Sequence, residues 1–279
     1  RDAMMNRRTI EELANEFLTT SPLALVSEEA ALEPRLAGMR IFEKVVTGVA
    51  SAGDEMLRKF TQTPEAGVYF DPQFWVPGAL SIMSFFLPFT EEVRKSNAAI
   101  EREPSPEWLH ARIEGQKFLD AMSEYLVDEM ELSGHFAIAP SVDFRFYTED
   151  AAGENGELRI LSNWSERHVA FAAGLGTFGL SKGIITKSGM AGRFTSIIST
   201  VNMEATPRDY TALYEYCTSC LSCLKNCPAG AITKENGKDH GICREYIRDY
   251  REKHAKDYGY GCGKCQTDVP CETCAPGRS

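Results

Sequence analysis

All nine cysteines of this 279-residue chain lie after residue 216, and the first three-quarters of it has none. A disulfide framework belongs to small secreted chains and spreads its cysteines throughout. A local cluster reads as metal binding instead. The densest part is Cys217-x2-Cys220-x2-Cys223-x3-Cys227-Pro228. Three closely spaced thiolates on a tight loop can cap three irons of one cubane. A fourth, carried away as the chain enters a helix, ligates the other cluster in two-cluster ferredoxins. Zinc needs only four ligands and usually takes two separated C-x2-C pairs, so this run points to iron–sulfur.

Cys243, Cys262, Cys265, Cys271 and Cys274 follow. The simplest division is crosswise. One 4Fe–4S cluster takes Cys217, Cys220, Cys223 and a late cysteine; the second takes Cys227, Cys243, Cys262 and Cys265. In a regular motif three residues separate Cys265 from the late ligand, which falls where this chain has Val269. Cys271 comes next and is preferred; Cys274, before Ala275-Pro276, is the alternative. The ninth thiol is then free. Two such clusters form a wire that moves electrons singly, with potentials set by charge, hydrogen bonding and burial. A wire needs a terminus, which residues 1–205 must supply.

Those residues alternate strand-like and helix-like patterns. Ser105-Pro106-Glu107 starts a helix reaching about Glu131, with Pro at the first helical position. Ala79–Leu87 reads as a buried strand stopped by Pro88, and Arg193–Met203 as another. Ser27–Arg58 reads as broken helix, Phe136–Ala139 and Phe144–Tyr147 as strands, Ala151–Gly156 as a loop and Ser165–Ala173 as helix. The expected architecture is an α/β layered domain over residues 1–205, with a boundary near Ala205-Thr206-Pro207. A small ferredoxin-like double-cluster domain over 206–279 follows.

No apolar run approaches the length of a membrane span. Arg7-Arg8 precedes an acidic amphipathic stretch rather than the apolar run of an export signal, so a cytoplasmic location is expected. The net charge is -10. Such a chain repels a phosphate backbone unless it segregates a basic face, which disfavours nucleic acid as partner.

A second motif is Glu166-Arg167 followed by Gly174-Leu175-Gly176-x-x-Gly179. The spacing matches a dinucleotide fingerprint, but that loop must sit between a strand and a helix with an acid about twenty residues on. Here a helix precedes the glycines and no suitable acid follows. A Gly-rich turn at a helix C-terminus, with Gly174 at C′, is the simpler reading. Glycines also let a backbone approach a flat cofactor.

Glu166-Arg167, the glycine loop, the C-x2-C-x2-C-x3-C-P run, Cys243 and Cys262-x2-Cys265 together resemble the epoxyqueuosine reductase family, related to the respiratory reductive dehalogenases. Pro77-Gly78-Ala79-x-Ser81-Ile82 resembles its early strand. The likeness covers roughly residues 65–275. It implies a cobalamin between the α/β domain and the cluster module, with Gly174, Leu175, Gly176 and Gly179 against the corrin and Arg193 near its polar rim. One departure stands out. The family carries a proton-donating Asp six residues before the Glu of Glu-Arg, where this chain has Ile160. An aliphatic side chain has no proton to give.

The resulting expectation is an iron–sulfur reductase that passes electrons from two clusters to a corrin and then to a small molecule. Alternatives are an electron carrier without a corrin, and epoxyqueuosine reduction on tRNA. Glu166 and Tyr147 are the candidate acids, with His168 and Asp143 also near by position; an ion pair with Arg167 or a capping role is the plainer account of Glu166. Arg244, Arg248, Arg251, Lys253 and Lys256 alternate with acids, as on a solvated helix face. They could also receive a ferredoxin or flavodoxin as electron donor.

Overall fold

In the computed structural model of the chain, residues 5–62, 69–152, 158–254 and 261–277 are described. Helix α1 (Arg7–Thr20) buries Ile10, Leu13, Ala14 and Leu18 at helical spacing, and Asn6 caps it. Strand β1 (Val46–Ser51) is followed by α2 (Glu55–Gln62), a single turn α3 (Pro72–Trp75) and β2 (Ser81–Pro88). Next come α4 (Glu91–Ala99), α5 (Pro106–Leu132), β3 (Ala137–Ile138) and the hairpin β4 (Thr148–Ala152) and β5 (Leu158–Ser162). Helix α6 (Glu166–Ala172), β6 (Gly176–Phe178), β7 (Ile184–Thr186) and β8 (Gly192–Ser199) complete the larger part. The cysteine-rich end holds α7 (Ser222–Lys225), β9 (Ile232–Thr233), β10 (Gly237–Lys238) and α8 (His240–His254).

The central sheet has the order β1-β2-β8-β3, with every neighbour antiparallel. Strand β2 is buried along its whole length because helices cover both faces. Met83, Phe85 and Leu87 point into a core shared with α1 and α5; Ile82 and Phe86 point into the cores beneath α6. Two-sided burial explains why β2 is largely apolar on both faces, with only Ser81 and Ser84 polar. The molecule is thus a mixed α/β layered structure with small accessory hairpins.

The helical reading of 27–58 is corrected. Val46–Ser51 pairs with β2, and only a short 3-10 turn at Pro34–Leu36 and the stretch from Glu55 onward are helical. Gly48 marks the reason: a Cβ there would strike the carbonyl of Ala173 just beyond α6, so close packing selects a strand with a bare backbone at this point. Phe144–Tyr147 is not a strand either; the hairpin begins at Thr148. Of the loop read over 151–156, Ala151 and Ala152 belong to β4, and the rest lies outside the described residues.

The cysteine-rich end packs closely on the larger part. Met190 donates its backbone N–H to the carbonyls of Cys271 and Glu272. Asn97 donates to the Cys262 carbonyl at 3.2 Å and to Thr267 at 3.1 Å. The Lys264 amine is buried and donates to the Ile100 carbonyl at 2.5 Å.

Candidate functional site

The loop from Cys217 to Cys223 turns tightly because Ser219 and Leu221 adopt positive φ, 53° and 63°. Leu221 then opens α7, which carries Cys223 inward, and Cys227 follows at its end. The Ala231 N–H donates to Cys227 Sγ at 3.3 Å. Cys243 rides on α8, and Cys262 and Cys265 flank Lys264. All nine cysteines are free thiols.

The thiols separate into two groups. Burial pushes the Cys271 thiol up to about 12, and its sulfur neighbours Cys223, Cys220 and Cys217 push the same way. Burial likewise holds Cys262 at about 12, reinforced by Cys265, Cys243 and Cys227. Cys243 is raised by burial, with Cys265 and Cys227 adding to it while Lys238 opposes. Cys223 is raised to about 11 by burial, then by Cys265, Cys217 and Cys220, so the two groups abut at Cys223 and Cys265. Cys217, Cys220, Cys223 and Cys271 line one cleft with Ile185 and Met190. Cys274 is exposed, its sulfur 3.5 Å from the Pro270 carbonyl oxygen.

Neighbouring, partly buried thiols resist ionising together, and a cationic iron–sulfide core relieves that repulsion. Among the described residues no three or more His, Cys, Asp or Glu side chains converge as one metal ion requires. A tetrahedral zinc with 2.3 Å bonds would hold its sulfurs only about 3.8 Å apart. A cubane spreads four thiolates over its corners. The cysteine donor set is of the kind 4Fe–4S clusters take.

The glycine loop has a different occupation from the one the resemblance implies. Gly174 has φ 79° and serves as C′ of α6, with the Leu175 N–H reaching back to the Ala170 carbonyl. A Cβ on Gly174 would lie 3.0 Å from the Thr206 side chain, one on Gly176 would collide with the backbone of Ile185, and one on Gly179 would come 3.1 Å from Ile185 Cδ1. Leu175 is buried in the core beneath α6. Arg193 faces α5, where it bonds the Gln116 side chain. Protein fills the space at Gly174, Leu175 and Gly176, and Arg193 lies on the opposite face of the sheet from the loop, whereas Gly179 lines the cleft of Cys217, Cys220, Cys223 and Cys271. The five do not line one corrin cradle.

Glu166 sits at the start of α6 with both carboxyl oxygens buried. Burial raises its pKa to about 7. Ser196 and Trp164 pull the other way, though neither completes a well-formed hydrogen bond to it. Arg167 points elsewhere and donates to the Lys182 carbonyl at 2.6 Å, so the ion pair considered from sequence is not formed. His168 contacts Ser165 Oγ at 2.7 Å and packs between Phe60 and Phe178. Burial, then Arg167, lowers its pKa to about 4. Tyr147 is at the surface, edge-on to Phe70, its N–H donating to Asn163 Oδ1 at 3.1 Å. Asp143 is tied to Arg145 at 2.8 Å. Tyr69, stacked on Trp164 at 5.2 Å, belongs with Glu166 and was missed from sequence because it lies in a turn.

On α8, Arg244 grips Asp150 of β4 through two 2.7 Å hydrogen bonds. Arg248 lies 3.6 Å from Asp249. Lys256 lies outside the described residues. Among the described residues no helix is long and apolar enough to cross a membrane.

No family model matches the chain. Among curated proteins it matches an epoxyqueuosine reductase of Bacillus anthracis, 24% identical over 225 residues, covering 75% of this chain and 52% of that protein. The chain thus spans about half the length of the curated relative it matches. Among solved structures, epoxyqueuosine reductase from Streptococcus thermophilus aligns with a TM-score of 0.51 and 16% identity, covering 96% of this chain and 66% of that one. A catabolic reductive dehalogenase aligns with a TM-score of 0.50 and 12% identity, covering 81% and 30%. The matched proteins are reductases, and the chain is similar to the epoxyqueuosine reductases, whose fold and that of the reductive dehalogenases it shares.

Proposed function

We propose that the chain is an iron–sulfur reductase that takes electrons one at a time through two 4Fe–4S clusters and delivers them to a small substrate. Cys217, Cys220, Cys223 and Cys271 hold one cluster; Cys227, Cys243, Cys262 and Cys265 hold the other. The observation that supports this reading is the single cleft lined by Cys217, Cys220, Cys223 and Cys271, the four thiols assigned to the first cluster. The matched relatives support reduction as the chemistry.

A reduction that replaces a leaving group by hydrogen consumes two electrons and one proton and releases the leaving group as an anion. The clusters supply the electrons in two steps, and an external donor of the ferredoxin or flavodoxin class recharges them. Ile160, at 42% exposure on β5, has no proton to give. Glu166 is the acid this chain offers, because burial keeps it protonated to about neutral pH. A corrinoid is implied by the resemblance and would supply a nucleophilic metal centre. The residues expected to cradle it do not line one common space.

Reduction of epoxyqueuosine in tRNA is the second reading, favoured by the curated match. The net charge of -10 weighs against an RNA substrate.

Anaerobic reconstitution tests the proposal. The expected result is about eight irons and eight sulfides per chain, reducible in one-electron steps. Protein that takes up no iron and no sulfide overturns it. Corrin difference spectra and an epoxyqueuosine tRNA assay then decide the acceptor.

A further inference from the structure

Helix α6 lies over a small-residue row that crosses three strands. Gly48 of β1, Ser84 of β2 and Ser196 of β8 are successive cross-strand partners. Ser196 Oγ accepts from Trp164 Nε1 at 2.9 Å, and Trp164 in turn stacks on Tyr69. In this region Ser84 Oγ, Tyr69 Oη and both carboxyl oxygens of Glu166 are buried atoms without a well-formed hydrogen bond. Ser84 is fully buried and Tyr69 is 8% exposed.

Orphaned polar atoms that share one interface are what buried water joins. The complement is suitable. Two hydroxyls can each donate and accept, and a carboxyl donates when neutral and accepts when ionised. Tyr69 is also the titratable group that faces Glu166 from the segment between α2 and α3. Burial raises its pKa, and Glu166 and then Asp71 add to that. From β8, Ser196 neighbours the carboxyl, and Ser84 of β2 is its direct cross-strand partner. On α6 itself, Arg167 turns to Lys182, and His168 turns to Ser165, Phe60 and Phe178.

We infer that Glu166, Tyr69 and Ser84 enclose ordered water beneath α6 and form one proton-exchanging site, in which Tyr69 positions the proton of Glu166. When the carboxyl releases its proton, the water relays it onward to solvent, and the Tyr69 hydroxyl turns to donate to the carboxylate. Reprotonation reverses both movements, and no electron is transferred. The inference deepens the reading of Glu166 as the acid and rests on it for its role, but not for its measurement.

Infrared titration of the full cluster-loaded chain, labelled with carbon-13 in its glutamate carboxyls, is the test. The wild type should show a protonated, deuterium-exchangeable carboxyl band persisting to about pH 7, absent from Glu166→Gln. Tyr69→Phe removes a donor from the carboxylate and should move the midpoint up by about one pH unit. Ser84→Ala should move it the same way by less, and provides the answer should Tyr69→Phe not fold. Midpoints unmoved in both variants overturn the shared site while leaving the role of Glu166 standing. Full reductase activity in Glu166→Gln, alongside moved midpoints, would instead remove the acid role and keep the site.

Discussion

Cys271 Sγ lies 3.3 Å from Met190 Sδ, in the cleft that also holds Cys217, Cys220 and Cys223. Met190 follows the tight turn after β7 and fixes the Cys271 backbone by its own N–H. The late thiol is therefore positioned by the α/β part of the molecule. Cys271→Ser should lower iron and sulfide by about half after reconstitution, whereas Cys274→Ser should retain both clusters. Metal analysis with electron paramagnetic resonance on reduced samples reads this directly. Equal losses in the two variants would remove the assignment.

Glu166 gives stability a pH signature. Its folded pKa of about 7 exceeds the ordinary carboxyl value of 4.5, so the folded state binds its proton more tightly than the unfolded chain. The contribution is complete below pH 4.5 and is lost as pH rises to about 7. The loss amounts to roughly 3 kcal/mol from the two pKa values at about 1.4 kcal/mol per unit. Glu166→Gln cannot ionise, so the wild-type stability relative to it should fall between pH 5 and pH 8. Denaturant unfolding at the two pH values checks the difference. A constant difference would mean that Glu166 is already ionised at pH 5.

The glycine loop yields a graded pair. A Cβ on Gly176 meets the Ile185 backbone, which cannot step aside without parting β6 from β7. Gly176→Ala should cost about 3 kcal/mol or more. Gly179→Ala meets only the tip of Ile185 at 3.1 Å and should cost under about 1 kcal/mol. Thermal unfolding compares them. Two variants as stable as the wild type would mean the loop faces open space, as a cofactor cradle would require.

The parts of the fold that sequence disclosed were those with a strong local signal. Ser105-Pro106 announces α5, and Ser105 Oγ does accept the Trp108 N–H at 3.1 Å. The apolar run ending at Pro88 is β2, and the helix before Gly174 is α6. What stayed hidden depends on distant partners. Val46–Ser51 becomes a strand because β2 accepts it, and Gly48 is needed only because α6 crosses above. Asp71, two residues after Tyr69, caps α3 with its side chain. Nothing local reveals that the same Tyr69 is stacked under Trp164 beside Glu166. The cysteine spacing constrains the cluster site strongly because cubane chemistry itself is local to the loop. An acid buried by tertiary packing has no such spacing to betray it.

The second cluster depends on a contact made outside the cysteine-rich end. Gly263, between Cys262 and Lys264, has φ 68°, and a Cβ there would run into the indole of Trp108 near the start of α5. Two penalties coincide at this position: a left-handed backbone that ordinary residues avoid, and a large fully buried ring with no room to retreat. Gly263→Ala should therefore displace Cys262 and Cys265 together, because the strained turn sets the direction of both. The first set is anchored independently through Met190 and the core beneath α6. About four of eight irons should remain after reconstitution, with one cluster signal lost and the other intact. Loss of both signals would mean that the Cys223–Cys265 contact couples assembly of the two clusters. Retention of both would mean that α5 yields at Trp108.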